Sequence, residues 1–376
     1  MPKLVALELT NGQELFDCIA ELEQAGDAFC VLDSRDSPQR RELILDILAP
    51  THLRTTKGTV VLRNGRSVSD GDGAVVITSG TSGRPKAAVL TWDALRASAA
   101  LTNSTLASRG DPIWWANLTP VHIGGLAVYL RCLFSGTQPV FAASVATALE
   151  KGATHVSVVR TQLARDDYSG FDVVLLGGGP PPAHVPTNVV TTYGMTETGS
   201  GIVYDGHALP NVAIRIVDGE IHISSPTLLR MYRDGDDPTY FDASGSRWFA
   251  TGDGGALVND TLSIFGRQAY VITTGGEKVW PEDIENVVSE MESLRDVAVI
   301  GLPDPEWGQR VVMACVTSAN PDVVMQQVKE LVRSAIGPWA VPKEIQIVDE
   351  IPRTSNGKIA RRDLEVLVGQ PTPPVG

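Results

Sequence analysis

The sequence predicts an α/β protein with a large N-terminal domain built on mainly parallel sheets, a β-rich region, and a small α+β C-terminal domain. Apolar runs typical of strands alternate with helical patterns up to about Leu176, which favours a mainly parallel sheet. From Val212 to Phe265 the pattern changes to short alternating segments broken by Gly and Asp. Beyond Gly266 there follows a compact stretch of roughly a hundred residues, an ordinary size for a domain.

The predicted domain bounds follow from these changes of pattern. The N-terminal domain is expected over residues 1–265 and a small, mobile C-terminal domain over residues 266–368. Residues 369–376 are rich in Pro and Gly, so we expect a disordered tail. The length of 376 residues allows two or three domains, and the hydrophobic fraction of 43% suits a large core.

The elements of the N-terminal domain are expected to begin with two helices around a short strand at residues 28–32. A buried strand is expected at residues 74–77, and Thr91 can cap a helix that runs to about Leu106. The remaining pattern predicts strands at residues 113–118, 138–142, 155–159 and 171–176, and helices at residues 125–134 and 145–151. The C-terminal domain is expected to hold strands at residues 270–273, 297–300, 311–314 and 345–348, and helices from Pro281 and over 323–335.

Composition and charge exclude several classes of function. The net charge of −13 argues against a general nucleic-acid binder, which needs a basic face, but leaves small anionic ligands open. No apolar run is long enough to span a bilayer, and the N-terminus is a poor signal peptide, so a cytoplasmic protein is expected. The four cysteines show no metal-ligand spacing and are expected to be reduced.

The stretch from Thr78 to Thr91, here called the phosphate motif, follows the predicted strand at 74–77. Its hydroxyl side chains, glycines and backbone N–H groups can surround an anion, and Lys86 adds a mobile positive charge. The motif does not end in Gly-Lys-Ser/Thr, which excludes the nucleotide loop of kinases and GTPases. The candidate anion-binding residues are Thr78, Ser79, Gly80, Thr81, Ser82, Gly83 and Lys86.

Two further motifs follow predicted strands. Tyr193, Thr196 and Glu197 offer an aromatic face, a hydroxyl and a carboxylate, which can stack on a base, bond a phosphate and hold Mg²⁺. Gly178 and Gly179, in a Gly-Gly-Gly-Pro string, would let a ligand lie flat against the backbone.

Weaker signals complete the set: Thr251-Gly252-Asp253, Phe265-Gly266-Arg267, a His-Ile-Gly-Gly string at 122–125, Thr274-Gly275-Gly276, and Ile351 to Arg362 around Lys358. In this order the motifs resemble those of the adenylate-forming superfamily, which contains acyl-CoA synthetases, luciferases and adenylation domains of peptide synthetases. The resemblance spans residues 78–362. It implies an enzyme that joins a carboxylic acid to ATP as an acyl-adenylate and passes the acyl group to coenzyme A.

The resemblance also implies roles for the matching positions. Tyr193 would contact adenine, Asp253 and Arg267 the ribose, and Glu197 the Mg²⁺. The proposed ATP or AMP contacts further include Gly178, Gly179, Thr196 and Lys358, the acyl pocket includes His122, Gly124 and Gly178, and the coenzyme A channel passes Gly275 and Gly276. Thr196, Glu197, His122 and Lys358 are the candidates for catalysis.

Lys358 has a physical rationale within this scheme. A carboxylate that attacks an α-phosphate builds up negative charge on the reacting oxygens, and a preplaced ammonium stabilises that charge as it develops. The resemblance implies that the small domain then swings about Arg267–Ala269, which withdraws Lys358. Two departures from the family pattern are an early phosphate motif, so that the start looks trimmed, and Ala269, where the family often has Asp or Lys.

Arg131 is the candidate for recognising a second carboxylate on the acid, because its planar fork matches a carboxylate. The alternative is a surface ion pair on the outer face of a helix. Other open alternatives are a ligase of another aromatic or fatty acid, loading of a carrier protein, and a catalytically silent nucleotide- or acyl-binding protein. The expected partners are a small carboxylic acid, ATP and coenzyme A; the oligomeric state stays open, with a homodimer as one candidate.

Overall fold

A computed structural model describes residues 1–78, 85–182, 184–354 and 357–369, except for the side chain of Ser108. The chain divides into two compact units. The larger unit takes in residues 1–215, 222–251 and 257–262, and the smaller unit takes in 216–221, 252–256 and the residues from 263 onward. All of the predicted tail except Gly369 lies outside the described residues.

Most helices of the described residues were predicted from the sequence, whereas those at Arg160–Arg165 and Arg361–Val368 were not. Thr91 caps the helix that the sequence predicts there, since its hydroxyl accepts from Ala94 N at 3.1 Å. In chain order the helices are α1 (Gln13–Ala25), α2 (Pro38–Leu48), α3 (Trp92–Leu106), α4 (Ile123–Ser135), α5 (Val145–Glu150), α6 (Arg160–Arg165), α7 (Pro281–Val288), α8 (Pro321–Ala335) and α9 (Arg361–Val368). Short 3₁₀ turns cover Ala107–Arg109, Thr196–Thr198, Gln268–Tyr270 and Pro338–Ala340.

The strands follow the same order of the chain. They are β1 (Leu4–Glu8), β2 (Ala28–Val31), β3 (His52–Thr55), β4 (Gly58–Val61), β5 (Asp72–Thr78), β6 (Lys86–Thr91), β7 (Trp114–Trp115), β8 (His155–Val159), β9 (Val173–Gly177), β10 (Val189–Met195), β11 (Ser200–Tyr204) and β12 (His207–Ala208). They continue with β13 (Ala213–Val217), β14 (Glu220–Ser224), β15 (Met231–Tyr232), β16 (Thr239–Phe241), β17 (Arg247–Val258), β18 (Thr261–Arg267), β19 (Ile272–Thr274), β20 (Glu277–Val279), β21 (Asp296–Asp304), β22 (Gly308–Val316) and β23 (Glu344–Ile347).

Two of these assignments correct the sequence analysis. The predicted strand at 138–142 is a single bridge between Val140 and Trp115, because Pro139 has no N–H to give to a ladder. The N-terminal apolar patch, to which the sequence analysis assigned no element, is β1, which is almost fully buried between β2 and β3.

The larger unit contains two sheets with parallel centres. The first has the order β15-β6-β5-β2-β1-β3-β4, and its β5–β2, β2–β1 and β1–β3 pairs are parallel. The second has the order β12-β11-β10-β9-β8-β7 and is parallel from β10 to β7. Helix α3 contacts α4, β5 and β6 on one side and β11 on the other, so the α3–α4 pair packs between the sheets.

The β-rich region predicted between 212 and 265 forms a third sheet, in which β13-β14-β17-β16 are neighbours and β18 also pairs with β17. The smaller unit has a largely antiparallel sheet of order β20-β19-β22-β21, and β23 joins β22 in parallel. Helices α7 and α8 cover one face of it through a core that includes Ile284, Val288, Val324, Val328 and Val332.

All four cysteines are buried and unpaired. Within the part of the chain that the structure describes, every helix is too short or too polar to cross a bilayer.

Candidate active site

The phosphate motif begins at the last residue of β5 and ends with β6, and these two strands pair antiparallel. Thr78 and Lys86 face each other as register partners at the end of this pairing. The predicted anion-binding residues between them, Ser79, Gly80, Thr81, Ser82 and Gly83, lie outside the described residues. The hairpin therefore fixes where the motif leaves and re-enters the sheet.

Lys86 is held by two contacts. Its Nζ lies 3.0 Å from a carboxylate oxygen of Asp236 and 4.3 Å from the ring centroid of Tyr232. Both partners of the Lys86–Asp236 pair are partly exposed, so the pair is screened by solvent and can be exchanged for a phosphate at little cost.

The second predicted cluster lies at the carboxyl edge of the second sheet, where ligands of open α/β sheets commonly bind. Gly177 ends β9 against β10, and a Cβ there would lie 2.8 Å from Thr192 Oγ1. Gly178 has a φ of +87°, which favours glycine, and a Cβ on Gly179 would meet nothing within 4 Å. Gly177 thus lies against the residue that precedes Tyr193 on β10, and open space remains at Gly179.

Glu197 lies in the 3₁₀ turn that follows β10. Glu197 is 9% exposed, and its Oε1 accepts a hydrogen bond from the Tyr232 hydroxyl at 3.0 Å. Among the described residues no group of three or more His, Cys, Asp or Glu could hold a metal alone. A single carboxylate fits Mg²⁺, which in nucleotide sites takes one or two protein carboxylates and completes its shell with phosphates and water.

Tyr232 contacts two of the candidate residues, and the sequence analysis did not name it. It lies on β15, pairs with Ala88 of β6, and touches both Lys86 and Glu197. Tyr232 lies far along the chain from both Lys86 and Glu197, and the residues around it form no recognisable motif. Only the pairing of β15 with β6 reveals its place.

His122 and Gly124 begin α4. His122 is the N-cap and is half-buried, whereas Gly124 is exposed with Leu118 at 3.7 Å from a built Cβ. The neighbouring Gly125 has no such room, because a Cβ would lie 2.1 Å from the Thr119 carbonyl oxygen. Two backbone segments therefore approach closely at Gly125, whereas Gly124 has room for a side chain.

Arg131 lies further along α4 and is only 4% exposed, so the surface-ion-pair alternative is wrong. Nη1 donates to Ser157 Oγ at 3.3 Å, and the guanidinium lies 4.7 Å from the Trp114 ring centroid. Its Nε has no hydrogen-bond partner, and across the described residues it makes no ion pair with a carboxylate. Burial lowers the pKa of Arg131 because the charged form is desolvated.

The surroundings of Arg131 are polar but carry no compensating charge. His155 is fully buried, and burial lowers its pKa to about 4, with Arg131 acting in the same direction. The Trp114 ring packs edge-on to His155 at 5.1 Å, and Trp114 Nε1 and His155 Nε2 have no hydrogen-bond partner in the described structure. A buried cation with unused donors around it is costly unless an anion or water completes it.

In the smaller unit, the two predicted ribose contacts pair with each other. Arg267 Nε lies 2.9 Å from Asp253 Oδ1, and Asp253 is 7% exposed. Gly252 precedes Asp253 with a φ of +72°, and its N–H donates to Glu220 at 2.7 Å. The turn thus presents a carboxylate beside a guanidinium, as the Thr-Gly-Asp string suggests.

Gly275 and Gly276 form the turn between β19 and β20. A Cβ on Gly275 would lie 2.9 Å from the Trp307 ring, whereas one on Gly276 would meet nothing within 4 Å. Trp307 is 40% exposed, and Lys343 Nζ lies 4.5 Å from its ring centroid. The sequence analysis missed Trp307 and Lys343, which lie far from the Gly-Gly string along the chain.

Lys358 lies exposed on a loop just before α9, and Arg361 anchors that helix. Arg361 is 5% exposed and donates to Glu285 at 2.6 and 3.0 Å, to Glu282 at 3.0 Å, and to the Val299 carbonyl at 2.6 Å. Burial disfavours the charged form, yet Glu285 and Glu282 raise the pKa of Arg361. Glu282 also packs against Gly266, since a Cβ there would lie 2.3 Å from Oε2.

Comparison with known protein families gives two matches, one in each half of the chain. A family model described as "AMP-binding enzyme" matches residues 27–233, and "AMP-binding enzyme C-terminal domain" matches residues 283–358. The chain belongs to the family of AMP-binding enzymes.

Within this family the chain is similar to several individual proteins. The chain is 35% identical over 349 residues to a "Probable 2-succinylbenzoate--CoA ligase" of Mycobacterium tuberculosis, with 85% of this chain and 90% of the relative covered. It is 31% identical over 330 residues to the 2-succinylbenzoate--CoA ligase of Listeria monocytogenes, with 78% and 69% covered. The fold matches o-succinylbenzoate CoA synthetase from Bacillus subtilis in complex with the acyl-adenylate intermediate OSB-AMP, with a TM-score of 0.82, 23% identity, and 96% and 88% covered.

Proposed function

We propose that the protein is an ATP-dependent acid–CoA ligase that converts o-succinylbenzoate to o-succinylbenzoyl-CoA through an acyl-adenylate. In the first step a carboxylate oxygen of the acid bonds to the α-phosphorus of ATP, and pyrophosphate leaves. In the second step the thiol of coenzyme A bonds to the acyl carbon, AMP leaves, and the thiol proton passes to solvent. The buried, unpaired Arg131 is the observation that carries the choice of acid.

The choice of acid follows from charge. o-Succinylbenzoate has a succinyl carboxylate that can be activated and an aromatic carboxylate that must be recognised. A carboxylate that leaves water needs a cation or hydrogen-bond donors around it, and Arg131 needs an anion for the same reason. The pairing removes both costs, and the names of the relatives support this acid.

The remaining roles divide between the two units. In the larger unit we assign Lys86 and Thr78 to the phosphates, Tyr193 to adenine, and Thr196 to the α-phosphate. Glu197 would hold Mg²⁺, which when bound screens the charge of the leaving pyrophosphate. Tyr232 holds the Glu197 carboxylate in place by its hydroxyl and lies under the Lys86 ammonium.

In the smaller unit we assign Asp253 and Arg267 to the ribose and Lys358 to the charge that develops during adenylation. Gly275 and Gly276 would pass the thin arm of coenzyme A. The Trp307 ring and the Lys343 ammonium beside them suit the base and phosphates of the same cosubstrate. The proposed setting is menaquinone biosynthesis in the cytoplasm, which the resemblance to ligases of this acid implies.

A matched pair of acids tests the proposal. 4-Oxo-4-phenylbutanoate keeps the succinyl carboxylate and the ring of o-succinylbenzoate but lacks the aromatic carboxylate. AMP release is measured with ATP and coenzyme A. The kcat/KM should be at least about tenfold higher for o-succinylbenzoate, because the acid without the aromatic carboxylate leaves Arg131 without an anionic partner. Benzoate, acetate and a medium-chain fatty acid complete the panel, and a preference for any monocarboxylate by tenfold or more would overturn the choice of acid.

The alternative of a silent binding protein needs a separate measurement. Acid-dependent exchange of labelled pyrophosphate into ATP reports the first step alone, so a protein that only binds nucleotide or acyl groups gives none. Replacing coenzyme A by a phosphopantetheinylated carrier protein tests the carrier alternative in the second step.

A further inference from the structure

The loop that carries Lys358 is closed by its own backbone. Thr354 N donates to the Lys358 carbonyl at 2.8 Å, Gly357 N donates to the Thr354 carbonyl at 2.8 Å, and Arg353 forms a β-bridge with Ile359. Ile351 and Ile359, which flank the loop, pack on a core that contains residues of β21 and β22. A polar link between Gly357 and the sheet requires a side chain.

Arg353 supplies that link. Its Nη1 donates to the Gly357 carbonyl at 2.8 Å, one peptide before Lys358. Its Nη2 donates to both carboxylate oxygens of Asp296, at 2.7 and 2.9 Å. Asp296 is the first residue of β21, which is paired with β22 along its whole length, and Asp296 Oδ1 also accepts from Val297 N.

We propose that Arg353 is a positioning residue for adenylation, which fixes the Lys358 loop to β21 by bridging the Gly357 carbonyl and the Asp296 carboxylate. The inference rests on the proposed function, because it gives Arg353 its effect through Lys358. The bridge needs a planar fork with separate donors, which a lysine cannot supply. Arg353 and Asp296 are 41% and 33% exposed, and exposed ion pairs add little to stability. Variants of the bridge should therefore fold.

The test compares Arg353→Met, Arg353→Lys and Asp296→Asn with Arg310→Met. Arg310 is a matched control on β22 of the same unit: it also joins a carboxylate, Glu344 at 3.4 Å, to a backbone carbonyl, Pro303 at 2.9 Å. Arg353→Met should lower acyl-AMP formation by about tenfold to a hundredfold, since a small misplacement of a catalytic group has effects of that size. Arg353→Lys should not restore the rate, and Arg310→Met should leave acyl-AMP formation unchanged.

The second step and the melting temperature separate positioning from a structural role. Thioester formation from supplied acyl-AMP and the melting temperature should stay within about twofold and about 2 °C of the parent. If Arg353→Met lowers both half-reactions equally, or leaves acyl-AMP formation within twofold of the parent, the inference is overturned.

A double variant keeps the inference distinct from the proposed function. If Arg353 acts through Lys358, Arg353→Met should have no further effect on acyl-AMP formation in a Lys358→Ala background. If Arg353→Met lowers acyl-AMP formation as much in the Lys358→Ala background as in the parent, the inference is overturned and the proposed function still stands. If no acid supports pyrophosphate exchange in the parent, the proposed function fails. Hydrogen exchange at the amides of Thr354 and Gly357 then still tests the bridge, because it should speed up in Arg353→Met and not in Arg310→Met.

Discussion

Arg131 and Lys358 are both assigned to negative charge on the reactants, yet the structure holds them in opposite ways. Arg131 is buried on a helix between two sheets and has no ionic partner in the described structure. Lys358 is exposed on a loop whose backbone is tied to a strand by Arg353. A carboxylate that is present from the moment of binding can be met by a fixed, desolvated cation. A charge that exists only during the reaction suits a cation that can approach and withdraw.

The largest expected effect comes from Lys358→Ala. Acyl-AMP formation should fall by roughly a hundredfold or more, because the group that stabilises the developing charge is lost. Thioester formation from supplied acyl-AMP should survive, since the resemblance implies that Lys358 is withdrawn in that step. Rapid-quench measurements of the two half-reactions check this, and an equal fall in both would contradict the contrast between the two cations.

Arg131→Met should raise the KM for o-succinylbenzoate by about tenfold to a hundredfold, because the second carboxylate would be buried without a cation. The KM for ATP should not change. The free energy of unfolding of the ligand-free protein should hold or rise, since an apolar side chain replaces an unpaired buried charge. Steady-state kinetics and urea unfolding check both outcomes, with Arg131→Lys as the variant that keeps the charge but loses the fork. An unchanged KM would make Arg131 a structural residue.

Ala269→Pro tests whether Lys358 withdraws by a turn of the backbone. Ala269 is exposed in the 3₁₀ turn Gln268–Tyr270, and proline would restrict φ there. We expect the coenzyme A step to slow by about tenfold and adenylation to change much less, as in a hinge that must adopt two conformations. Ala269→Ser, which keeps the backbone freedom, should behave as the parent in both steps. Parental rates for Ala269→Pro in both steps would remove the turn from the mechanism.

The smallest expected effect is on stability, and it concerns the pocket of Arg131. His155 has a folded-state pKa of about 4, below its usual value near 6.5, so the unfolded chain takes up a proton first as the pH falls. The contribution of neutral His155 is complete above about pH 6.5 and is lost between about pH 6.5 and pH 4. Urea unfolding at several pH values should show that His155→Asn loses about 1–3 kcal/mol less over this range than the parent. Above about pH 7 the two proteins should show the same pH dependence, because His155 is neutral there in both the folded and the unfolded state.

Much of the architecture follows from local signals. The helix after Thr91, the strand at His155–Val159 and the β-rich region all agree with the pattern of the sequence, because each depends on nearby residues. A strand was wrongly predicted at 138–142 because its apolar residues fit a strand. Pro139 cannot donate to a ladder, so only one bridge forms, at Val140. The N-terminal strand β1 was missed because its apolar run is short and its partners, β2 and β3, lie later in the chain.

The candidate site was chosen from local motifs, and its long-range contacts came only from the structure. Glycine and charged strings drew attention to the ends of the β5–β6 hairpin, to Gly178 and to the Asp253 turn, and the roles of these residues stay predictions. Tyr232 and Trp307 were not predictable, because each reaches its neighbours through strand pairing or a turn that no local pattern encodes. The burial of Arg131 was undecided for the same reason: a helix pattern shows which residues share a face and not what covers that face.

The ion group around Arg361 has a consequence for how the chain is made. Glu282 and Glu285 leave the ribosome 79 and 76 residues before the arginine that neutralises them. Two carboxylates close together in a dry site oppose each other's ionisation, so α7 cannot take its buried position at low cost while Arg361 is still unsynthesised. We therefore expect the smaller unit to complete its packing only after α9 has been synthesised. Lys358 lies three residues before Arg361, so we expect its loop to take its place at the same stage.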